Sequence, residues 1–201
     1  MLRHSQTQER ILSAAEALFR RYGPGKTTVA DIARDLSMST ANVYKHFQNK
    51  SEIFEIIGKR RTDILRDDID KIVLSDNPAW IRIEMILEEV DRFFDPTSFS
   101  DHTSSLSDFI NELLVIEKSK FNNKWSFIEP FHEFVRCAFT RVLENGVKSG
   151  ELSTEDPNEA GAAIFDCFSG MFEPLLVIQI ERTVRKARRD RQLRLLRRAF
   201  R

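Results

Sequence analysis

Hydrophobic positions at the start of the chain recur at the three- and four-residue spacing of amphipathic helices. A first helix is predicted from Thr7 to Tyr22, and its apolar stripe consists of Ile11, Ala14, Ala15, Leu18, Phe19 and Tyr22. Gly23-Pro24-Gly25 ends it. A short second helix is predicted from Thr28 to Ser37, because Thr28 and Asp31 have the spacing of a capping box.

Two further helices follow directly. Ser39 is a suitable cap for a third short helix that reaches Phe47, and the polar break Gln48-Asn49 comes next. Helical spacing then resumes, bracketed at its start by Asn49 and Glu52, and continues to about Ser75, a length of roughly 37 Å. The apolar positions of this long helix are Ile53, Phe54, Ile57, Ile64, Leu65, Ile69 and Ile72.

The rest of the chain also has helical periodicity. The predicted segments are a helix from Asn77-Pro78, with Asn77 as its cap, to Phe94; Leu106 to Lys118; Ser126 to Lys148, closed by Gly150; Asp156-Pro157 towards Phe172, with a kink or restart at Pro174; and an amphipathic tail from Arg182 to Arg201. The predicted fold is therefore all-α. Residues 1–50 are expected to form a three-helix domain with a helix-turn-helix, 51–75 a connecting helix, and 76–201 a larger helical domain.

Composition narrows the possible functions. Seven glycines and six prolines in 201 residues are few, which favours helices. Cys137 and Cys167 have no CxxC spacing, and Gly25-Lys26-Thr27 lacks the first glycine of a phosphate-binding loop, which would fall at Arg20. We find no nucleophile with a base, no metal cluster and no cofactor loop. An enzyme, a bound metal and a cofactor are therefore not expected.

The N-terminus has no apolar signal region, and no apolar run approaches the roughly 20 residues of a membrane span. The expected protein is cytoplasmic and has no membrane partner. Its net charge of zero hides a strong segregation. Residues 1–61 carry +5, residues 62–160 carry −11, and the remaining residues carry +6. A basic head on an acidic body suits a protein that holds a polyanion at one end.

The third predicted helix has two distinct faces. Val43 and Phe47 project to the inside, and the opposite side carries Ala41, Asn42 and Lys45, while Thr40 at the helix start adds a methyl group. Asparagine pairs with adenine, lysine donates to guanine, and methyl groups meet thymine, so these four residues are the predicted base readers. The predicted phosphate contacts lie on the flanks of this helix or at the starts of neighbouring helices, and they are Thr28, Tyr44, His46 and Lys50.

These residues also carry a family resemblance over about residues 7–60. The segments Thr27 to Ala33, Ser39 to Phe47 and Asn49 to Phe54 resemble the tetracycline-repressor (TetR) family, most specifically in Tyr44-Lys45-His46-Phe47 with Lys50 three residues later. Ser37 departs from the family pattern, because many members have glycine there, so the backbone at Ser37 either avoids a positive φ or is strained to reach one. The resemblance implies a homodimer on a palindromic double-stranded DNA operator, and a helical body in which a small-molecule effector moves the long helix.

The sequence of the body leaves several alternatives open. An aromatic stripe that includes Phe131 and Phe134 suits either a core or a pocket, and sixteen phenylalanines favour a mostly apolar ligand. The predicted pocket residues are Trp125, Phe131 and Phe134. The candidate dimer residues are Ala160, Gly161, Phe168, Phe172 and Leu176, although intrachain packing also explains them. The basic tail is either a solvated face or a second DNA contact. A ligand-released repressor is the leading hypothesis, and an activator or a ligand-independent regulator is the alternative.

Overall fold

The computed structural model describes residues 5–23, 25–94, 126, 128–172 and 180–200. Regular secondary structure in these ranges is entirely helical, as predicted. The helices, numbered in chain order within the described ranges, are α1 Gln6–Tyr22, α2 Val29–Asp35, α3 Thr40–Tyr44, α4 Lys50–Val73, α5 Ala79–Phe94, α6 Ile128–Lys148, α7 Pro157–Cys167, α8 Ser169–Phe172 and α9 Arg182–Ala199. None of these helices has the length and hydrophobicity that crossing a membrane requires.

The described residues fall into two compact units: residues 5–61 with Ser126 belong to the first, and residues 62–94 and 128–200 belong to the second. The division lies inside α4, so this single helix contributes to both units. The predicted domain boundaries at residues 50 and 75 stay predictions. The predicted helix over Leu106 to Lys118 and the kink at Pro174 lie outside the described residues.

The first unit packs α1, α2, α3 and the start of α4 around one hydrophobic core. Its buried residues are Ile11, Leu12, Ala14, Ala15, Phe19, Val29, Ile32, Ala33, Val43, Phe47, Ile53, Phe54 and Ile57. The prediction of Tyr22 on the inward stripe is wrong, because Tyr22 is 47% exposed and stacks under the Arg21 guanidinium. Leu12, which the stripe omitted, is fully buried instead. The apolar face of α1 is thus wider than the simple repeat indicated.

Side-chain caps fix the helix starts of the first unit, and each satisfies a backbone N–H that the helix leaves unpaired. The Thr28 hydroxyl accepts from the Asp31 N–H at 3.1 Å, and the Asp31 carboxylate accepts from the Thr28 N–H at 2.9 Å. Ser39 Oγ accepts from the Asn42 N–H at 3.2 Å. Asn49 Oδ1 accepts from the Glu52 N–H at 2.9 Å. The predictions of these three helix starts are confirmed.

The second unit buries the apolar faces of α5, α6 and α7 together with the end of α4. Its largest fully buried side chains are Ile69, Ile83, Ile86, Leu87, Phe139, Leu143 and Phe168. Asp156 caps α7 through the N–H groups of Asn158 and Glu159, with Pro157 in the first turn. Gly150 closes the turn after α6 with a φ of 78°, a conformation that glycine adopts without strain. Both features were predicted.

Details of α4 and α5 differ from the simple sequence pattern. Ile64 keeps the helical spacing of the other apolar positions of α4, but its side chain is 63% exposed. Asn77 was expected to cap α5, but its amide donates to Ser75 Oγ. The Glu151 carboxylate, which comes from the turn after α6, accepts from the Ala79 N–H at 2.7 Å. A cap supplied from 72 residues away cannot be read from local spacing.

The two C-terminal helical segments also differ from the prediction. The helix that starts at Pro157 was expected to run towards Phe172, but α7 ends at Cys167 and the short α8 follows. The Phe168 N–H bonds to the carbonyls of both Ile164 and Phe165, which tightens that turn. In α9 the residues that turn inward are Arg185, Arg189 and Leu193, whereas Val184 and Leu195 are exposed. The buried side of α9 therefore consists partly of arginine side chains, and not of apolar side chains alone.

Candidate nucleic-acid interface

The turn between α2 and α3 sets the position of α3 in the first unit. The Met38 N–H donates to the Ala33 carbonyl at 2.9 Å, and the Ser37 N–H donates to the Arg34 carbonyl at 3.0 Å. Ser37 has a φ of 52°, the single positive φ of a non-glycine residue in the described ranges. The sequence left open whether Ser37 avoids a positive φ or is strained into one. The chain takes the strained conformation here.

Helix α3 is shorter than predicted, since it ends at Tyr44 rather than Phe47. The N–H groups of His46 and Phe47 both donate to the Val43 carbonyl, at 2.9 and 3.1 Å. Lys45 and His46 therefore lie on the closing turn of α3. Val43 and Phe47 are 1% and 2% exposed, so they anchor the helix and this turn to the core.

The opposite side of α3 is open to solvent. Thr40, Ala41 and Lys45 are exposed, Tyr44 is 54% exposed, and Asn42 and His46 are half-buried. The Asn42 amide lies 3.9 Å from the Met38 sulfur, which is a weak contact. An exposed aromatic hydroxyl beside an amide and an ammonium group provides hydrogen-bond donors that suit phosphate oxygens and base edges.

The two remaining phosphate candidates are already engaged within the protein. The Thr28 hydroxyl donates to Asp31 Oδ2 at 2.6 Å as part of the α2 cap. Lys50 Nζ donates to the Thr27 carbonyl at 3.1 Å. These bonds hold the first turns of α2 and α4 in a defined arrangement. Lysine has three donors, so Lys50 can keep this bond and still meet a phosphate.

Thr27 is a residue of this region that the sequence reasoning missed. Its side chain is 2% exposed, and its hydroxyl donates to the Gly23 carbonyl at 2.8 Å. The Thr27 carbonyl then receives Lys50. Thr27 thus links the end of α1 to the first turn of α4. A threonine two residues before a helix is a common loop residue, so the sequence alone gave no signal for this role.

Electrostatics in the first unit are shaped by local ion pairs. The pKa of the Asp31 carboxyl lies below its ordinary value, chiefly because it accepts from the Thr28 hydroxyl and the Thr28 N–H, and less because Arg34 is near. Arg34 pairs with Asp31 at 3.0 Å. Arg60 binds Glu9 with both terminal nitrogens, at 2.6 and 2.9 Å, which connects α4 to α1. Lys45 is exposed on the closing turn of α3 and places a positive charge beside the polar face of that helix.

The predicted residues of the body lie in the second unit or outside the described residues. Phe131 is buried, and Phe134 is half-buried beneath the Arg66 guanidinium, 5.2 Å from its ring centroid. Ala160, Gly161 and Phe168 are buried in the core of their own chain. A Cβ on Gly161 would lie 2.4 Å from Thr140 Oγ1, so α7 approaches α6 closely there. Trp125 and Leu176, and the side chain of Phe172, are outside the description.

Helices α2 and α3 are short and are joined by a tight turn. Val43 and Phe47 anchor α3 to the core, and its polar side is open to solvent. This arrangement defines a helix-turn-helix DNA-binding protein. Residues 11–57 match the family model "Bacterial regulatory proteins, tetR family", and residues 111–191 match "Tetracyclin repressor-like, C-terminal domain". The chain belongs to the TetR family and is a DNA-binding transcriptional regulator.

Individual proteins agree with this assignment. The chain is similar to the uncharacterized HTH-type transcriptional regulator YfiR of Bacillus subtilis (strain 168), with 24% identity over 164 residues, 79% of this chain and 74% of that protein. Its fold is similar to a transcriptional regulator from Cytophaga hutchinsonii ATCC 33406, with a TM-score of 0.71, 20% identity and coverage of 98% and 99%. It is also similar to SmeT in a complex with triclosan, with a TM-score of 0.59, 19% identity and coverage of 98% and 92%.

Proposed function

We propose that this regulator is a homodimeric repressor that binds a palindromic operator and is released by a small, mostly apolar ligand. The observation that carries the DNA-binding part is the exposed polar face of α3 above the buried Val43 and Phe47. A short helix anchored in this way can enter a major groove without disturbing the core. Two-fold symmetry of the protein is then matched by two half-sites about 34 Å apart, or a multiple of that distance.

The proposed DNA contacts divide by position. Thr40, Ala41, Asn42 and Lys45 read base edges, because they lie on the side of α3 or its closing turn that faces away from the core. Tyr44, His46, Lys50 and Thr28 contact phosphates on either side. The Thr28 hydroxyl is already bonded within the α2 cap. The proposed phosphate contact of Thr28 therefore depends on its position at the start of α2, because the N-terminus of a helix favours an anion. Lys50 keeps its bond to the Thr27 carbonyl while it approaches the phosphate.

The proposed dimer surface needs revision at the level of residues. Ala160, Gly161 and Phe168 are buried within the chain and offer little area to a second copy. Phe172 and Leu176 stay predictions. The opposite side of α7 carries Ala163, Asp166 and Cys167, all exposed, and small or short side chains there permit close helix approach. We therefore place the two-fold contact on this side of α7.

Release by a ligand is proposed from the family and from the body's composition. SmeT, whose fold is similar to that of this chain, forms a complex with triclosan, a small organic molecule. In this chain α4 contributes side chains to both units, so a ligand in the second unit that shifts Thr62–Val73 also pulls on the residues next to Lys50. Phe131, Phe134 and Trp125 are the proposed pocket residues, with Arg66 stacked on Phe134.

An operator selected from random DNA tests the interface. We expect selected sequences to contain two inverted half-sites. Tyr44→Phe should weaken binding to every sequence by a similar factor of about 10, since it removes one bond to a charged phosphate. Asn42→Ala should change the preferred base, with a change in discrimination of about 5- to 100-fold at one position of each half-site. Fluorescence anisotropy with labelled duplexes measures both.

A matched control distinguishes the loss of a specific DNA contact from a general effect of removing a positive charge. Lys45→Met should reduce both affinity and the salt dependence of binding, whereas Lys71→Met, at an exposed position of the second unit, should leave both unchanged. Equal effects of Tyr44→Phe and Asn42→Ala on all sequences would refute the base-reading role. Sequences without an inverted repeat would refute the palindromic operator. A ligand that tightens operator binding would replace the ligand-released repressor with a ligand-dependent binder.

A further inference from the structure

Helix α9 has an exposed face that combines arginine with aliphatic side chains. Positions 184, 188, 191, 195 and 198 are separated by four and three residues in turn, a spacing that places side chains on one side of a helix. The residues are Val184, Arg188, Arg191, Leu195 and Arg198, and all of them are exposed. We call this set the arginine stripe. Aliphatic residues at this spacing are typical of a helix side that packs against another helix.

Helix α7 presents an exposed row of opposite charge. Glu159, Ala163 and Asp166 have the same spacing of four and three residues, and all of them are exposed. We call this set the acidic stripe. It points away from the buried side of α7, which consists of Ala160, Gly161 and Ile164. Asp166 also attracts Arg136 of α6, but the Arg136 guanidinium is bonded to Glu133 at 2.6 Å.

The two stripes belong to one continuous surface of the second unit. Gln192 Nε2 on α9 donates to the Cys167 carbonyl at the end of α7, at 2.7 Å. Gln192 is one helical turn from both Arg188 and Leu195, and Cys167 directly follows Asp166. A cationic row with aliphatic side chains and an anionic row with a small side chain therefore lie next to each other.

Such a surface is complementary to a second copy of itself. A two-fold rotation can set each acidic stripe against the arginine stripe of the other copy, so that both contacts are attractive. The aliphatic side chains of the arginine stripe then meet the small Ala163, which lets the helices approach. A polyanion such as DNA suits this surface less well, because the neighbouring carboxylates of the acidic stripe would repel its phosphates.

We propose that the arginine stripe of α9 docks on the acidic stripe of α7 in a second copy of this chain, and that these ion pairs select the partner. The proposal rests on the homodimer of the proposed function and extends its two-fold contact from α7 to α9. A related regulator that lacks either stripe is then rejected, because it leaves like or unpaired charges in the contact.

Sedimentation of the full chain without DNA tests the proposal through salt and charge. The Kd of self-association should rise about tenfold or more between 0.1 and 1 M sodium chloride, because the Debye length falls from about 10 to about 3 Å. Reversal of one stripe, by Arg188→Glu with Arg191→Glu or by Glu159→Arg with Asp166→Arg, should weaken self-association by about 100-fold or more, since like charges then face each other.

Mixing the two reversed chains is the decisive measurement. Each should be monomeric alone, and an equimolar mixture should form a dimer, because both contacts of the mixed pair join opposite charges. Lys148→Glu with Lys186→Glu, at exposed positions outside both stripes, is the control with the same change in charge and should still dimerise. Circular dichroism checks that every variant folds, and the salt dependence of the unaltered chain needs no variant.

Self-association that is insensitive to salt and to both reversals would overturn the proposal and leave the homodimer standing. Reversed chains that do not associate when mixed would also overturn it, because the stripes would then serve only their own chain. If the chain with a reversed arginine stripe still dimerises but binds DNA of unrelated sequence more weakly, the stripe contacts DNA instead. An unaltered chain that is monomeric at low salt would refute the homodimer as well, whereas Tyr44→Phe and Asn42→Ala test the DNA interface alone.

Discussion

Lys50 in the first turn of α4 donates its ammonium group to the backbone carbonyl of Thr27, the residue before the α2 cap, at 3.1 Å. The bond spans 23 residues of sequence and fixes the start of α4 to the loop that begins the helix-turn-helix. Lys50, which is proposed to contact phosphate, therefore also stabilises the fold of the first unit. Its two roles can be separated by substitution.

Lys50→Met should lower both operator affinity and stability. The loss of a charge-assisted hydrogen bond is expected to reduce the free energy of unfolding by about 1–2 kcal/mol. Lys50→Arg retains the charge and a donor, so it should retain most of the affinity. Urea denaturation and anisotropy measure the two effects, and Lys71→Met is the control. If Lys50→Met lowered affinity while the unfolding midpoint stayed unchanged, the structural role would be wrong.

Ser37→Gly should stabilise the protein. Ser37 has a φ of 52°, where a side chain costs roughly 1–2 kcal/mol and glycine costs little. The greater freedom of glycine in the unfolded chain offsets part of this gain, so a net increase of about 0.5–1 kcal/mol is expected. Urea denaturation measures it. Ser37→Ala keeps the strain and is the control, and a Ser37→Gly protein no more stable than Ser37→Ala would contradict the prediction.

Asp31 should make the α2 cap sensitive to acid. Its pKa is depressed in the folded protein, first by the Thr28 hydroxyl and then by the Thr28 N–H. The carboxylate therefore contributes stability above its unfolded pKa of about 3.9, and that contribution is lost as the pH falls through the lower folded value. Thr28→Val should raise the pKa of Asp31, and Thr28→Ser should not. Carboxyl NMR titration measures the shift, and identical titrations in both variants would rule out the hydroxyl as its cause.

Gly161→Ala should destabilise the second unit. The added Cβ would lie 2.4 Å from Thr140 Oγ1 and 2.9 Å from the Thr140 backbone nitrogen, so the helix backbones must separate. Overpacking of this kind costs about 1–3 kcal/mol. Asn158→Ala, at an exposed position in the first turn of α7 outside the proposed dimer contact, is the control and should change stability little. Thermal unfolding measures the difference, and an unchanged Tm for Gly161→Ala would show that α7 can shift without cost.

Local sequence patterns were sufficient to predict many helix caps and buried residues of the first unit. The caps at Thr28, Ser39 and Asn49 each depend on residues within three positions, and the structure forms all three. Val43 and Phe47 were placed in the core by helical spacing, and they are buried. Such features need only the geometry of one helix turn. The proposed DNA-contacting residues stay predictions.

Hydrogen bonds and ion pairs between residues far apart in the chain could not be predicted from the sequence. Glu151 caps α5 from the turn after α6, and Asp91 draws Arg185 and Arg189 inward. Neither pairing follows from spacing, because the residues come from distant segments. Arginines in a basic tail are normally solvated, which is why the tail was expected to be a solvated face or a second DNA contact. Tyr22 was misplaced for a different reason: the repeat of apolar residues continues to the end of α1, where the side chain is exposed.

Ile53, Phe54 and Ile57 of α4 share one core with Val43 and Phe47. Pulling this part of α4 away from α3 would expose large apolar side chains, each worth roughly 1.5–3 kcal/mol when buried. Such a loss exceeds the 1–3 kcal/mol typical of coupling between two sites. If a ligand signal travels along α4 as proposed, it therefore moves α3 and the start of α4 together. What such a signal can change is the distance between the two DNA-binding units of the proposed dimer, rather than the shape of either unit.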